Sequence, residues 1–69
     1  MRRTLIDSST LISVGYSKAT STLELEFTSG KVYQYFAVPA GVHEQLMKAE
    51  SKGSFFNSSI KGAYAFAAV

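Results

Sequence analysis

The chain has 69 residues, 46% of them apolar, with four tyrosines, five phenylalanines, no cysteine, and seven Lys/Arg against five Asp/Glu for a net charge of +2. One domain of this length buries only about 60% of its unfolded surface, so oligomer formation is a natural source of extra stability; without cysteine, a disulfide framework and a thiolate metal site are excluded. The apolar and aromatic content excludes a disordered chain, and the mild basicity permits a weak attraction to phosphate but not the dense basic stripe of a dedicated nucleic-acid binder.

Residues 1–8 read as a mobile N-terminal segment carrying Arg2 and Arg3, and residues 9–69 as a single domain. Leu5 and Ile6 precede Asp7, so the start lacks a signal-peptide apolar region. No apolar run approaches the roughly 18 residues of a membrane span. The expectation is a soluble, cytoplasmic protein with no membrane partner.

Residues 11–18 predict a first strand, with Ile12, Val14 and Tyr16 on one face and Ser13, Gly15 and Ser17 on the other. Residues 22–28 predict a second, with Leu23, Leu25 and Phe27 inward and Glu24 and Glu26 outward in solvent. Residues 31–38 predict a third. Its face depends on the turn at Ser29 and Gly30. A two-residue turn would place Tyr33 and Tyr35 beside Glu24 and Glu26. A three-residue turn with Gly30 left-handed would pair Phe27 with Lys31 and place both tyrosines on the leucine face. Serine resists the positive φ of the shorter turn, so the longer, bulged one is expected.

Pro39 opens a helix running to about Lys52, with Val42, Leu46 and Ala49 as its inward stripe. Gly53 is the expected stop, and Ser54 the cap of a second, short helix carrying Phe56 and Ile60 and ended by Gly62. The tail, residues 63–69, is apolar enough to add an edge strand, cover the sheet or contact a second subunit. The fold class is therefore α+β: a three-stranded antiparallel meander packed by one longer and one short C-terminal helix.

Catalytic and metal chemistry find little footing. His43 and Glu44 are adjacent on a helix and point apart, while a zinc site needs three or four converging ligands; His43 reads as a solvated helix residue. Glu24 and Glu26 stand about 7 Å apart along a strand, as paired carboxylates do, but on an open face they read as solvated. No nucleophile elbow, phosphate loop or dinucleotide glycine motif is present. Ser51, Gly53 and Ser54, with Lys52, offer backbone N–H groups and hydroxyls to an anion, though helix capping uses the same residues. The expectation is a non-enzyme without cofactor or metal.

Tyr33 and Tyr35 share one strand face. They serve either as a core rim packed on Leu25 and Leu46, or as a stacking surface for bases worth ~1–3 kcal/mol per ring. If they face inward, Val32 and Phe36 face outward, and with Tyr64 and Phe66 they are candidate interface residues.

The ordered set from Ser9, through Val14-Gly15-Tyr16, Leu23-Glu24-Leu25-Glu26-Phe27, Gly30, Tyr33-Gln34-Tyr35 and Val38-Pro39, to Ala49-Glu50-Ser51-Lys52-Gly53-Ser54-Phe55-Phe56-Asn57, Ile60 and Tyr64 resembles the KTSC domain. That domain occurs at the C-terminus of some lysyl-tRNA synthetases and as stand-alone bacterial and phage proteins. The resemblance implies a small α+β domain for which RNA binding is suggested, with Tyr33 and Tyr35 as the motif tyrosines. Lys31, Lys52 and Lys61 are candidate phosphate contacts on charge alone. The expected function is RNA or nucleic-acid binding through an aromatic sheet face. The alternative is a phage or prophage accessory protein that, as a homo-oligomer, binds a host protein or sequesters a small nucleotide-like ligand.

Overall fold

The computed structural model describes residues 1–69. Five strands, β1 (Arg3–Leu5), β2 (Leu11–Ser17), β3 (Thr22–Phe27), β4 (Val32–Tyr35) and β5 (Phe66–Ala68), form one sheet in the order β1-β2-β3-β4-β5. Every neighbouring pair is antiparallel. The expected three-stranded meander is the centre of this sheet, and β1 and β5 extend it at both edges. Three residues are too few to show an alternating pattern, so these edges are strands because a neighbour offers its open ladder groups, not through their own propensity. Residues 3–5 thus belong to the sheet instead of lying outside the domain.

The register follows the bulged turn. Gly30 has φ of +91°, the Phe27 N–H donates to the Lys31 carbonyl at 2.9 Å, and Tyr33 and Tyr35 pair with Leu25 and Leu23. Both tyrosines therefore lie on the leucine face. A second irregularity changes the expected faces of β2. The ladder shifts between Leu11 and Ser13, so Leu11 is fully buried while Ile12 is half-buried. An extra residue in one strand reverses the alternation beyond it.

Two helical segments cover the leucine face. α1 spans Ala40–Lys48 and is entered through Pro39. α2 spans Lys52–Phe55 and runs directly into a π-helical turn over Phe56–Ile60. The long helix expected through Lys52 stops earlier because Ala49 and Ser51 adopt extended backbone. The Ser51 side chain accepts from the Ser54 N–H at 3.2 Å, and Lys52 Nζ donates to the Ala49 carbonyl at 3.0 Å. These bonds supply partners that a continuous helix would otherwise provide. Ser51, not Ser54, is therefore the cap, and Gly53 lies inside α2 instead of ending a helix. The break swings Phe56 and Ile60 onto Leu11, Val14, Leu23, Leu25, Tyr35, Val38 and Leu46 to close the core.

No helix is long and apolar enough to cross a membrane.

Candidate functional site

Because the turn at Gly30 turns the tyrosines toward the helices, they join an aromatic cluster. Its rings touch in a closed circuit. Phe27 meets Tyr33 at 5.8 Å and Phe56 at 5.2 Å, Tyr33 meets Phe66 at 5.7 Å, and Tyr35 meets Phe66 at 5.5 Å and Phe56 at 5.6 Å. Most of these contacts are edge to face, the arrangement that ring quadrupoles favour. The five rings, with Lys61 and Gly62, line a cavity of about 280 Å³. β3, β4, the π-helical turn and β5 each contribute to it.

Tyr35 is only 5% exposed, so its ring is a wall of the cavity and not an open stacking platform. Burial, and then the neighbouring Tyr33 phenol, push its hydroxyl above the ordinary tyrosine value. Tyr33 is half-buried and also lines a second recess of about 390 Å³ with Gly30, Lys31, Val32, Ala68 and Val69. Of the candidate lysines, Lys61 and Lys31 thus flank Tyr33 on two sides. Neither is in an ion pair, since the salt bridges of the chain all involve Arg3.

Lys52 does not join them. It lines a separate groove of about 440 Å³ with Asp7, Ser8, Ser9, Thr10, Glu50, Ser51, Gly53, Ser54 and Asn57, a lining without a single hydrophobic residue. The three candidate anion residues Ser51, Gly53 and Ser54 therefore do share a groove, but Ser51 and Ser54 are engaged with one another in the cap. Gly53 marks where the groove walls meet. A Cβ built there would stand 2.6 Å from Thr10 Oγ1 and 3.1 Å from Thr10 Cβ. Gly53→Ala is accordingly expected to cost about 1–3 kcal/mol by overpacking, although alanine in an open helix interior gains up to about 1 kcal/mol over glycine. Urea unfolding checks the sign, and Thr10→Ala in the same chain recovers part of the loss; a net gain for Gly53→Ala alone would show that these walls are not held together.

The interface candidates separate as well. Phe66 is 59% and Phe36 38% exposed, whereas Val32 and Tyr64 are half-buried. The Val69 N–H donates to the Val32 carbonyl at 2.9 Å, so β5 already occupies that edge, and Tyr64 packs against the core.

On the opposite sheet face Glu24 and Glu26 are not the solvated pair expected. Glu24 is 8% exposed, accepts from Gln34 Nε2 at 2.8 Å and pairs with Arg3 Nη1 at 2.9 Å. Glu26 accepts from Ser13 Oγ at 2.9 Å. His43, expected in solvent, stacks on Tyr16 with ring centroids 4.7 Å apart. Burial lowers its pKa, against a smaller opposing effect of Glu44. The Tyr16 hydroxyl in turn donates to the Val38 carbonyl, so this pair ties sheet to helix. No group of three or more His, Asp or Glu side chains converges.

The sequence could place Tyr33 and Tyr35 on a common face, and the inward alternation of Phe27 put it there too. It could not bring in Phe56 or Phe66, whose positions depend on the helix break and on an edge strand without a pattern.

The KTSC domain model matches residues 7–64. The chain is 47% identical over 60 residues to a lysine–tRNA ligase of Nostoc punctiforme; this covers 87% of the chain but 11% of the ligase. The chain thus spans about a tenth of the length of that relative. It is 44% identical over 61 residues to an uncharacterized protein of Stutzerimonas stutzeri, covering 88% of one and 86% of the other. Among solved structures, a KTSC domain protein of Yersinia pestis superposes with a TM-score of 0.97 at 37% identity, covering 99% of this chain and 96% of that one.

Proposed function

The chain belongs to the KTSC domain family, and from that premise we propose that it is a non-enzymatic binding domain that holds single-stranded RNA against the Tyr33 end of its sheet. The observation that carries this reading is the position of Tyr33 between two recesses, one lined by Lys61 and the other by Lys31. A base stacks on an aromatic ring without sequence preference while lysines hold the flanking phosphates. The ligase relative adds support, since its name is that of a protein acting on an RNA.

Fluorescence anisotropy with a labelled single-stranded RNA 12-mer tests it. Affinity is expected to fall with salt, with the slope of log K against log salt reduced by about 0.7 in each of Lys31→Ala and Lys61→Ala. Tyr33→Ala is expected to weaken binding by about 1–3 kcal/mol at fixed salt. Binding that is indifferent to all three substitutions, or to salt, sinks the proposal.

The β5 edge favours a second reading, an association of copies of this chain. Phe66 and Val69 are 59% and 73% exposed, and residues 65–69 carry no charge or proline. Natural edge strands are usually blunted by such residues, because their open ladder groups pair with other chains. Sedimentation of Ala67→Lys beside the parent chain is the check: a homo-oligomer should dissociate on the substitution, and a parent chain that is monomeric at high concentration eliminates this reading.

A further inference from the structure

We propose that the cavity enclosed by Phe27, Tyr33, Tyr35, Phe56 and Phe66 binds one pyrimidine ring of a nucleotide, with Lys61 taking its phosphate. The inference deepens the RNA reading of the Tyr33 surface and rests on it for the strand-borne form of the ligand.

Shape, polarity and charge each narrow the occupant. The cavity measures about 280 Å³, just under the roughly 300–1,000 Å³ of pockets that take drug-sized ligands. That limits the occupant to a small ligand, on the scale of one nucleobase. Its walls are five rings in mutual contact, which offer faces and edges to another π-system. The tyrosine hydroxyl that the fold ties down is that of Tyr16; no hydrogen bond within the chain engages those of Tyr33 and Tyr35, so both can donate to a ligand. A pyrimidine presents carbonyl acceptors around a single ring, which matches that set.

Aromatic cages also bind quaternary ammonium groups. Here Lys61 lines the cavity and has no carboxylate partner, and no other charged side chain lines it. A second cation is therefore disfavoured and an anionic group favoured.

The test follows backbone amide shifts of Lys61 and Gly62 by NMR in the full chain at low salt. The probes are UMP, uridine, AMP, choline and the RNA 12-mer. UMP is expected to shift both amides and to bind more tightly than AMP or choline. Phe66→Ala, at an exposed position, should weaken UMP by roughly 5- to 150-fold, the loss of one stacking partner. Lys61→Ala, also exposed, should weaken UMP several-fold and leave uridine unchanged. AMP binding as tightly as UMP overturns the single-ring assignment, and choline binding more tightly than UMP overturns the anionic one. RNA that binds while UMP leaves Lys61 and Gly62 unmoved overturns the cavity proposal and spares the RNA reading. UMP binding without RNA binding does the reverse, and a chain that takes neither loses both.

Discussion

Leu25→Ala is expected to lower the unfolding free energy by about 2–5 kcal/mol, the cost of emptying a fully buried leucine site. Leu25 is 0% exposed and lies mid-strand, opposite Val14 on one side and Tyr33 on the other. Its neighbours belong to both the sheet and the helical layer, so the gap cannot close by moving one loop. At about 0.05–0.15 kcal/mol per residue, the whole 69-residue domain is stable by only about 3–10 kcal/mol. The substitution therefore removes a large share of the total, and in a less stable chain it abolishes folding at 37 °C. Urea unfolding followed by circular dichroism measures the effect. Leu25→Met, which keeps the volume, should cost under about 1.5 kcal/mol. Leu5→Ala, at a 79% exposed position, should lie within about 0.5 kcal/mol of the parent. Equal losses for Leu25→Ala and Leu5→Ala would contradict the core described above.

Arg3→Ala should be the next most costly change, although sequence reasoning placed Arg3 outside the domain. The guanidinium reaches Glu24 at 2.9 Å and Glu26 at 3.9 Å, and its stem passes over Gly15 in the neighbouring strand. Removing it leaves the Glu24 carboxylate buried with Gln34 as its remaining side-chain partner. Breaking a buried pair costs about 3–5 kcal/mol. The Arg3 side chain is 29% exposed, and screening by solvent brings the expected loss down to about 2–3 kcal/mol. Glu24→Gln should cost less than Arg3→Ala, because the freed guanidinium reaches water while a freed carboxylate at this site does not. The double variant should then be more stable than Arg3→Ala alone. A double-mutant cycle by urea unfolding tests the asymmetry, and strictly additive losses would show that the two side chains do not interact.

Much of the tyrosine face was legible because it depends on local rules. The resistance of serine to positive φ selects the bulged turn at Gly30, and the period of two then carries Tyr33 and Tyr35 to the leucine face. Charge alone named Lys31, Lys52 and Lys61 together, and only the structure sets Lys31 and Lys61 beside Tyr33. Reading Glu24 as solvated failed for a nonlocal reason. Its partner Arg3 is 21 residues away, on a strand with no pattern of its own. The grouping of Lys52 with the tyrosines failed because the helix break at residues 49–51 directs it into a different groove.

By itself the sequence determined the α+β class, the central meander, the face of its tyrosines and the membership of the KTSC family, all properties set by alternation, turn chemistry and short motifs. The tertiary structure alone decided the two edge strands, the burial of Tyr35 and Glu24, and the closing of five rings around one cavity. Each of these depends on residues distant in the chain meeting at one place, and there burial, not local preference, sets the outcome.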